Sequence, residues 1–216
     1  MPVSAENQLE RRRKILACTR DMINEVGYEK VNVRDLAQRC GVSVPTLYNQ
    51  FGSKDELLYA SAAEIYNLYL SRIEANTEYR GLDRLIFTIR TIEDMIKMSP
   101  KIARLLVAGT SIPADNNSLR MAERFYRQPV LEMYEDGELA QWIDPEYIGR
   151  RIFTRIGAIL LEWNKGDISD SELIIARRTE PFIMLLGLAR GEARKRIEQL
   201  LKQALPHAAS KPKPDR

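Results

Sequence analysis

The chain has 216 residues, 44% of them apolar and 29% charged, the balance of a globular protein long enough to bury a core as one large or two small domains. No stretch approaches ~18 uninterrupted apolar residues and the N-terminus has no apolar signal region, so a cytoplasmic protein with no membrane span is expected. The net charge of +3 says little alone, but it is unevenly placed: residues 1–60 carry nine Lys/Arg against eight Asp/Glu, residues 61–189 carry 16 against 19, and residues 190–216 carry eight against three.

Residues 1–7 read as a disordered lead. Leu9 to Val26 is predicted as an amphipathic helix, with Ile15, Leu16, Met22, Ile23 and Val26 on its apolar side and Arg11 to Lys14 ahead of it. Gly27 ends it. Asn32 stands as a cap before Val33, Leu36 and Ala37, which fill one face of a short helix. Gly41 gives the left-handed turn that closes it. Ser43 opens a second short helix, with Pro45 in its first turn and Leu47 and Phe51 facing inward. Ser53 with Glu56 forms a capping box for a long helix, Lys54 to about Tyr79, which Gly81 breaks.

Leu82–Met98 and Lys101–Ala108 are the next predicted helices. Residues 109–117 are turn-formers. Leu119–Asp136 follows, kinked or divided at Pro129 and ended by Gly137. Asp144 and Pro145 start a helix that runs to Gly166. The box Ser169–Glu172 starts another that reaches about Ala189, bent at Pro181. Gly191 separates a basic helix, Glu192–Leu205, and residues 206–216 read as a disordered tail. No strand alternation competes, so an all-α fold of nine or ten helices is expected.

Two short helices joined by a glycine turn make a helix-turn-helix, whose second helix enters a DNA major groove. The run Leu36, Ala37, Gly41, Val42, Ser43, Thr46, Leu47, Tyr48, Phe51, Ser53, Lys54, Glu56, Leu57 resembles the DNA-binding domain of the TetR family of bacterial transcriptional regulators. It covers about the first quarter of the chain; the rest is similar to the family in length and helical character. The resemblance implies a three-helix head over residues 8–53. It implies a ligand-binding and dimerisation body of six or seven helices over residues 54–205, with tails at 1–7 and 206–216.

What the resemblance implies for single residues follows. Tyr48 and Lys54 are candidate phosphate contacts, and Asn32, Arg34 and Ser43 are phosphate ligands or plain structural caps. Base reading falls to Val44, Pro45, Thr46 and Asn49. Asn suits adenine and Thr or apolar groups the thymine methyl, so an A/T-leaning half-site is expected. Ile152, Ile156, Ile159, Trp163, Phe182 and Leu186 are candidates for a four-helix dimer interface, with the intramolecular core as the alternative. Phe87, Met95, Met98, Leu105, Phe125, Tyr126, Met133 and Trp142 are candidate walls of a small-molecule pocket, again against the core. Arg150, Arg151 and Arg155 meet an anionic ligand or form a surface salt-bridge face.

No catalytic motif occurs, and the only histidine is His207. Cys18 and Cys40 have no zinc spacing and are expected as small buried hydrophobes in a reduced compartment. Neither a metal nor a cofactor is expected. The function expected is a homodimeric, ligand-responsive transcriptional regulator, usually a repressor in this family. Its partners are a (pseudo)palindromic double-stranded operator and an unidentified small-molecule effector. The alternative is an all-helical adaptor whose head does not read DNA.

Overall fold

The computed structural model describes residues 5–108 and 116–205, which form ten α-helices and one 3-10 turn, with no strand among the described residues. Of the turn expected at 109–117, residues 109–115 lie outside them, and Asn116 and Asn117 instead begin a helix; the expected tail at 206–216, with His207, also lies outside them. Contacts divide the chain into a head unit, Met1–Arg72 with Asp94–Asp115, and a body unit, Ile73–Glu93 with Asn116–Arg216. The boundary expected from the sequence lies between residues 53 and 54.

The head is built on α1 (Ala5–Val26), α2 (Val33–Arg39), α3 (Val44–Phe51) and the start of α4 (Lys54–Glu74). Ile15, Leu16 and Ile23 of α1 meet Leu36, Leu47, Phe51 and Leu57 in one core. α1 begins at Ala5, so residues 5–7 are helical where disorder was expected; the good helix former Ala5 and the acid Glu6 in the first turn explain the extension. α6 (Pro100–Ala108) belongs to this unit. Ile102 and Leu105 enter the head core, and the Lys101 ammonium donates to the carbonyls of Asn24 and Glu25 at 2.7 and 3.0 Å. Those carbonyls are among the unsatisfied ones at the end of α1.

α4 stops at Glu74, five residues short of expectation. The Asn76 side chain accepts from the Tyr79 amide at 3.2 Å, a local bond that competes with the helix ladder. On α4, Leu70 is buried and Leu68 is exposed.

α5 (Gly81–Met98), whose residues 81–93 belong to the body unit, starts on Gly81 itself rather than after it, and α7 of the body spans Asn116–Glu135. The Gly81 amide donates to the Glu132 carboxylate at 2.7 Å, and the Arg84 Nε donates to the same oxygen at 3.0 Å. Glu132 of α7 therefore holds the start of α5 from inside the unit. α7 passes through Pro129 without dividing, and α9 (Asp170–Leu186) does the same at Pro181. α8 (Pro145–Lys165) is capped by Asp144, which accepts from the Glu146 and Tyr147 amides, and it ends at left-handed Gly166. The box Ser169–Glu172 starts α9, and α10 (Gly191–Ala204) closes the unit.

Sequence pattern did not reveal how two connections join. Leu139 and Ala189 form an isolated antiparallel bridge, with the Ala140 amide donating to Leu188 at 2.9 Å and the Arg190 amide to Glu138 at 2.7 Å. Both bridge residues are buried. α7 and α8 approach closely at Gly149. A Cβ on Gly149 would lie 2.6 Å from the Arg127 Cα, a backbone atom that has no free end to move. Gly149→Ala is expected to cost about 1–3 kcal/mol, read as a lower thermal midpoint. An unchanged midpoint would show that α7 and α8 are not held at this distance.

Candidate nucleic-acid interface

Three local devices shape the surface around α3. The Asn32 Oδ1 accepts from the Arg34 amide at 2.8 Å and starts α2. Gly41 at φ +66° lets the chain leave that helix, and the Val42 amide donates back to the Ala37 carbonyl at 2.9 Å. The Ser43 hydroxyl then accepts from the Thr46 amide at 3.3 Å and lies 2.9 Å from the Thr46 hydroxyl. Asn32 and Ser43 thus act as caps.

Leu47 and Phe51 anchor α3 to the core, which turns the opposite side outward. Pro45 and Asn49 are exposed, Tyr48 is 43% exposed, and Val44 and Thr46 are half-buried. Along the chain, α3 lies between exposed Arg34 of α2 and half-buried Lys54, the first residue of α4. Neither cation has an ion-pair partner among the described residues.

The other head cations behave differently. Arg39 grips the Glu25 carboxylate with both nitrogens, at 2.5 and 2.6 Å, and the pairing holds Glu25 below the usual carboxylate range. Arg20 pairs with Glu64, and Lys14 with Glu10 at 2.7 Å. Arg12 lies 4.4 Å over the Phe51 ring and donates to the Gln50 carbonyl at 3.3 Å. The basic run Arg11–Lys14 is therefore not one uniform patch: Arg12 fastens α1 to the end of α3, while Arg11 and Arg13 stay exposed. An unpaired cation beside a helix start is what a phosphate contact needs.

Cys18 and Cys40 are half-buried and lie beside each other, although 22 positions separate them in the chain. Burial, then the Cys18 contact, pushes the Cys40 thiol up to about 12. The raised pKa lowers the thiolate fraction, so iodoacetamide at pH 8 should modify Cys40 more slowly in the folded protein than in the unfolded chain. Alkylation of Cys40 at the rate of a free thiol would contradict the packing.

The body residues sort as follows. Trp163 is 0% exposed, its Nε1 donates to the Asp170 carboxylate at 2.7 Å, and Ile152, Ile156, Ile159 and Phe182 are also buried. These side chains pack into the core of their own chain, which corrects their expected place at a dimer interface; Leu186 is half-buried. The apolar residues facing out from α8 and α9 are instead Leu161, Ile175 and Ile183. The expected pocket set is dispersed. Trp142 is 78% exposed and Met98 is also exposed, so neither is a pocket wall. Leu105 is core of the head, and Met95, buried, falls in the head unit with it. Phe125, Tyr126 and Met133 are buried in the body, and half-buried Phe87 packs on Tyr79 with ring centres 5.3 Å apart. The three arginines form a surface face. Arg150 meets Glu123 at 3.7 Å, Arg155 meets Glu180 at 3.1 Å and Glu162 at 3.8 Å, and Arg151 stands 5.5 Å over the Tyr147 ring.

The described residues thus form a capped helix-turn-helix with one outward face, the arrangement by which helical heads enter a DNA major groove. Residues 15–60 match the family model described as bacterial regulatory proteins, tetR family. The match is confined to this segment, which carries the helix-turn-helix. The chain is similar to the HTH-type transcriptional repressor KstR of Mycolicibacterium smegmatis, 31% identical over 110 residues, which is 48% of this chain and 52% of that protein. The chain thus matches about half the length of this curated relative. In fold it is similar to CprB from Streptomyces coelicolor, solved in complex with its biological operator sequence (TM-score 0.65, 18% identity, 90% of this chain and 97% of that one). It is also similar in fold to the transcriptional regulator FadR from Bacillus subtilis, solved with stearoyl-CoA (TM-score 0.59, 18% identity, 80% of this chain and 96% of that one).

Proposed function

We propose that the protein is a transcriptional repressor that binds a (pseudo)palindromic operator as a homodimer and is released by a small-molecule effector held in its helical body. The observation that carries this reading is the outward face of α3, with Tyr48, Asn49 and Pro45 exposed between Arg34 and Lys54, cations without an ion-pair partner among the described residues. Tyr48 and Lys54 contact phosphate, joined by Arg34, and by Asn32 and Ser43 through the helix starts they cap. Val44, Pro45, Thr46 and Asn49 read base edges. The relatives named above, a repressor, an operator-bound regulator and a ligand-bound regulator, support the same reading. The protein acts by binding, not by catalysis. It works in the cytoplasm, where the DNA lies, and no helix among the described residues is long and apolar enough to cross a membrane.

One small head covers too little DNA for tight binding, so two act together, with half-site centres about 34 Å apart. The outer faces of α8 and α9 supply the dimer contact through Leu161, 50% exposed, and Ile183, 47% exposed. Ile183→Glu is expected to give folded monomers in sedimentation; a surviving dimer would place the contact elsewhere. The function itself is tested by the salt dependence of duplex binding. A phosphate-contacting dimer should lose on the order of 1,000-fold in affinity between about 50 and 200 mM salt. Flat or absent binding would favour the adaptor reading.

A further inference from the structure

Among its described residues the body unit buries three charged side chains: Glu93, Glu132 and Arg177. Two have counter-charges, since Arg178 clasps Glu93 at 2.6 Å through both nitrogens and Arg84 meets Glu132 at 3.0 Å. Arg177 of α9, 2% exposed, has no carboxylate within ion-pair reach among the described residues. Its Nη2 donates to the Tyr126 hydroxyl of α7 at 3.1 Å, and its buried Nε–H has no partner. A guanidinium has five donors and does not shed its charge inside a protein. Burying it against a single neutral oxygen is costly, so the position points to a partner with a negative charge.

We propose that Arg177 and Tyr126 form the head-group site for a small organic acid with an apolar or aromatic body, bound through one carboxylate. The identification of this acid as the effector rests on the regulator reading above; the binding site itself does not. The Nε–H and an Nη N–H together make the planar fork that grips a carboxylate with two bonds. The Tyr126 hydroxyl accepts from Arg177 and keeps its own hydrogen to donate to the acid. A single buried positive charge matches a single negative one, which selects a carboxylate over a phosphate dianion. Phe153 of α8 packs on Tyr126 with ring centres 6.1 Å apart and is only half-buried. It gives the acid's body an aromatic wall that is not sealed from solvent.

The test is calorimetric titration of the full chain with 4-phenylbutyrate and decanoate, each beside its neutral alcohol and beside phenyl phosphate. At least one acid should bind, its alcohol at least tenfold more weakly. Arg177→Met should keep its thermal midpoint, because an unpaired buried charge is removed, yet lose acid binding on the order of 100-fold. Tyr126→Phe, which keeps the ring, should lose several-fold. Equal binding of acid and alcohol, tighter binding of phenyl phosphate, undiminished binding by Arg177→Met, or no binding of either acid overturns the site. Duplex selection on the same protein separates the two readings. DNA binding without acid binding sinks only this proposal, whereas acid binding at Arg177 without DNA binding sinks the regulator reading and leaves the site.

Discussion

Trp163→Glu is expected to unfold the helical body, not to split a dimer. The side chain is fully buried on α8, amid the core that Ile156 and Ile159 of the same helix enter. Removing a buried Trp costs about 3–5 kcal/mol through lost burial and the cavity left behind. Glutamate adds the cost of a charge in an apolar site, and the Asp170 carboxylate loses the Nε1 donor at 2.7 Å. A total above about 5 kcal/mol is comparable to the whole stability of many domains. Circular dichroism should show lost helix or a midpoint lowered by tens of degrees. A fully folded monomer would return Trp163 to an interface and contradict the packing described here. The contrast with Ile183→Glu is the useful part, since both substitutions put the same charge on neighbouring helices and differ in which face receives it.

The second large effect is on DNA. Tyr48→Ala should leave the head folded, because the ring is 43% exposed while Leu47 and Phe51 carry the core side of α3. A hydrogen bond to a charged phosphate is worth about 1.5 kcal/mol or more, so two heads should lose on the order of 100-fold in affinity. The loss should be similar for every duplex, since a phosphate contact carries no sequence information. Asn49→Ala should instead relax preference at one base position. Wild-type affinity in Tyr48→Ala, with the head's circular dichroism unchanged, would remove the phosphate role.

What could be read in the sequence was the chemistry of neighbours a few residues apart. Asn32, Ser43, Asp144 and the box Ser169–Glu172 cap the helices they were expected to cap, because a cap and its amide lie within three residues. Glycines at helix ends were legible for the same reason. The errors lie where a distant partner decides. Periodicity marks an apolar face on α8 but does not say whether that face meets its own chain or another, and Trp163 turned out to be core. Within the cationic run Arg11–Lys14, Arg12 lies over the ring of Phe51, 39 positions away. Cys18 and Cys40, and Arg177 and Tyr126, are brought together only by packing. α4 ran too long because the pattern weighed helical spacing above the turn chemistry of Asn76.

The central claim is that α3 reads an operator in a two-fold arrangement. It is tested most directly by selecting binding sites from a random duplex library with the purified protein. The account predicts enrichment of an inverted repeat with half-site centres about one helical turn apart, leaning to A/T where Thr46 and Asn49 reach base edges. Folded protein that enriches no sequence at low salt, or only an unpaired half-site, would contradict it.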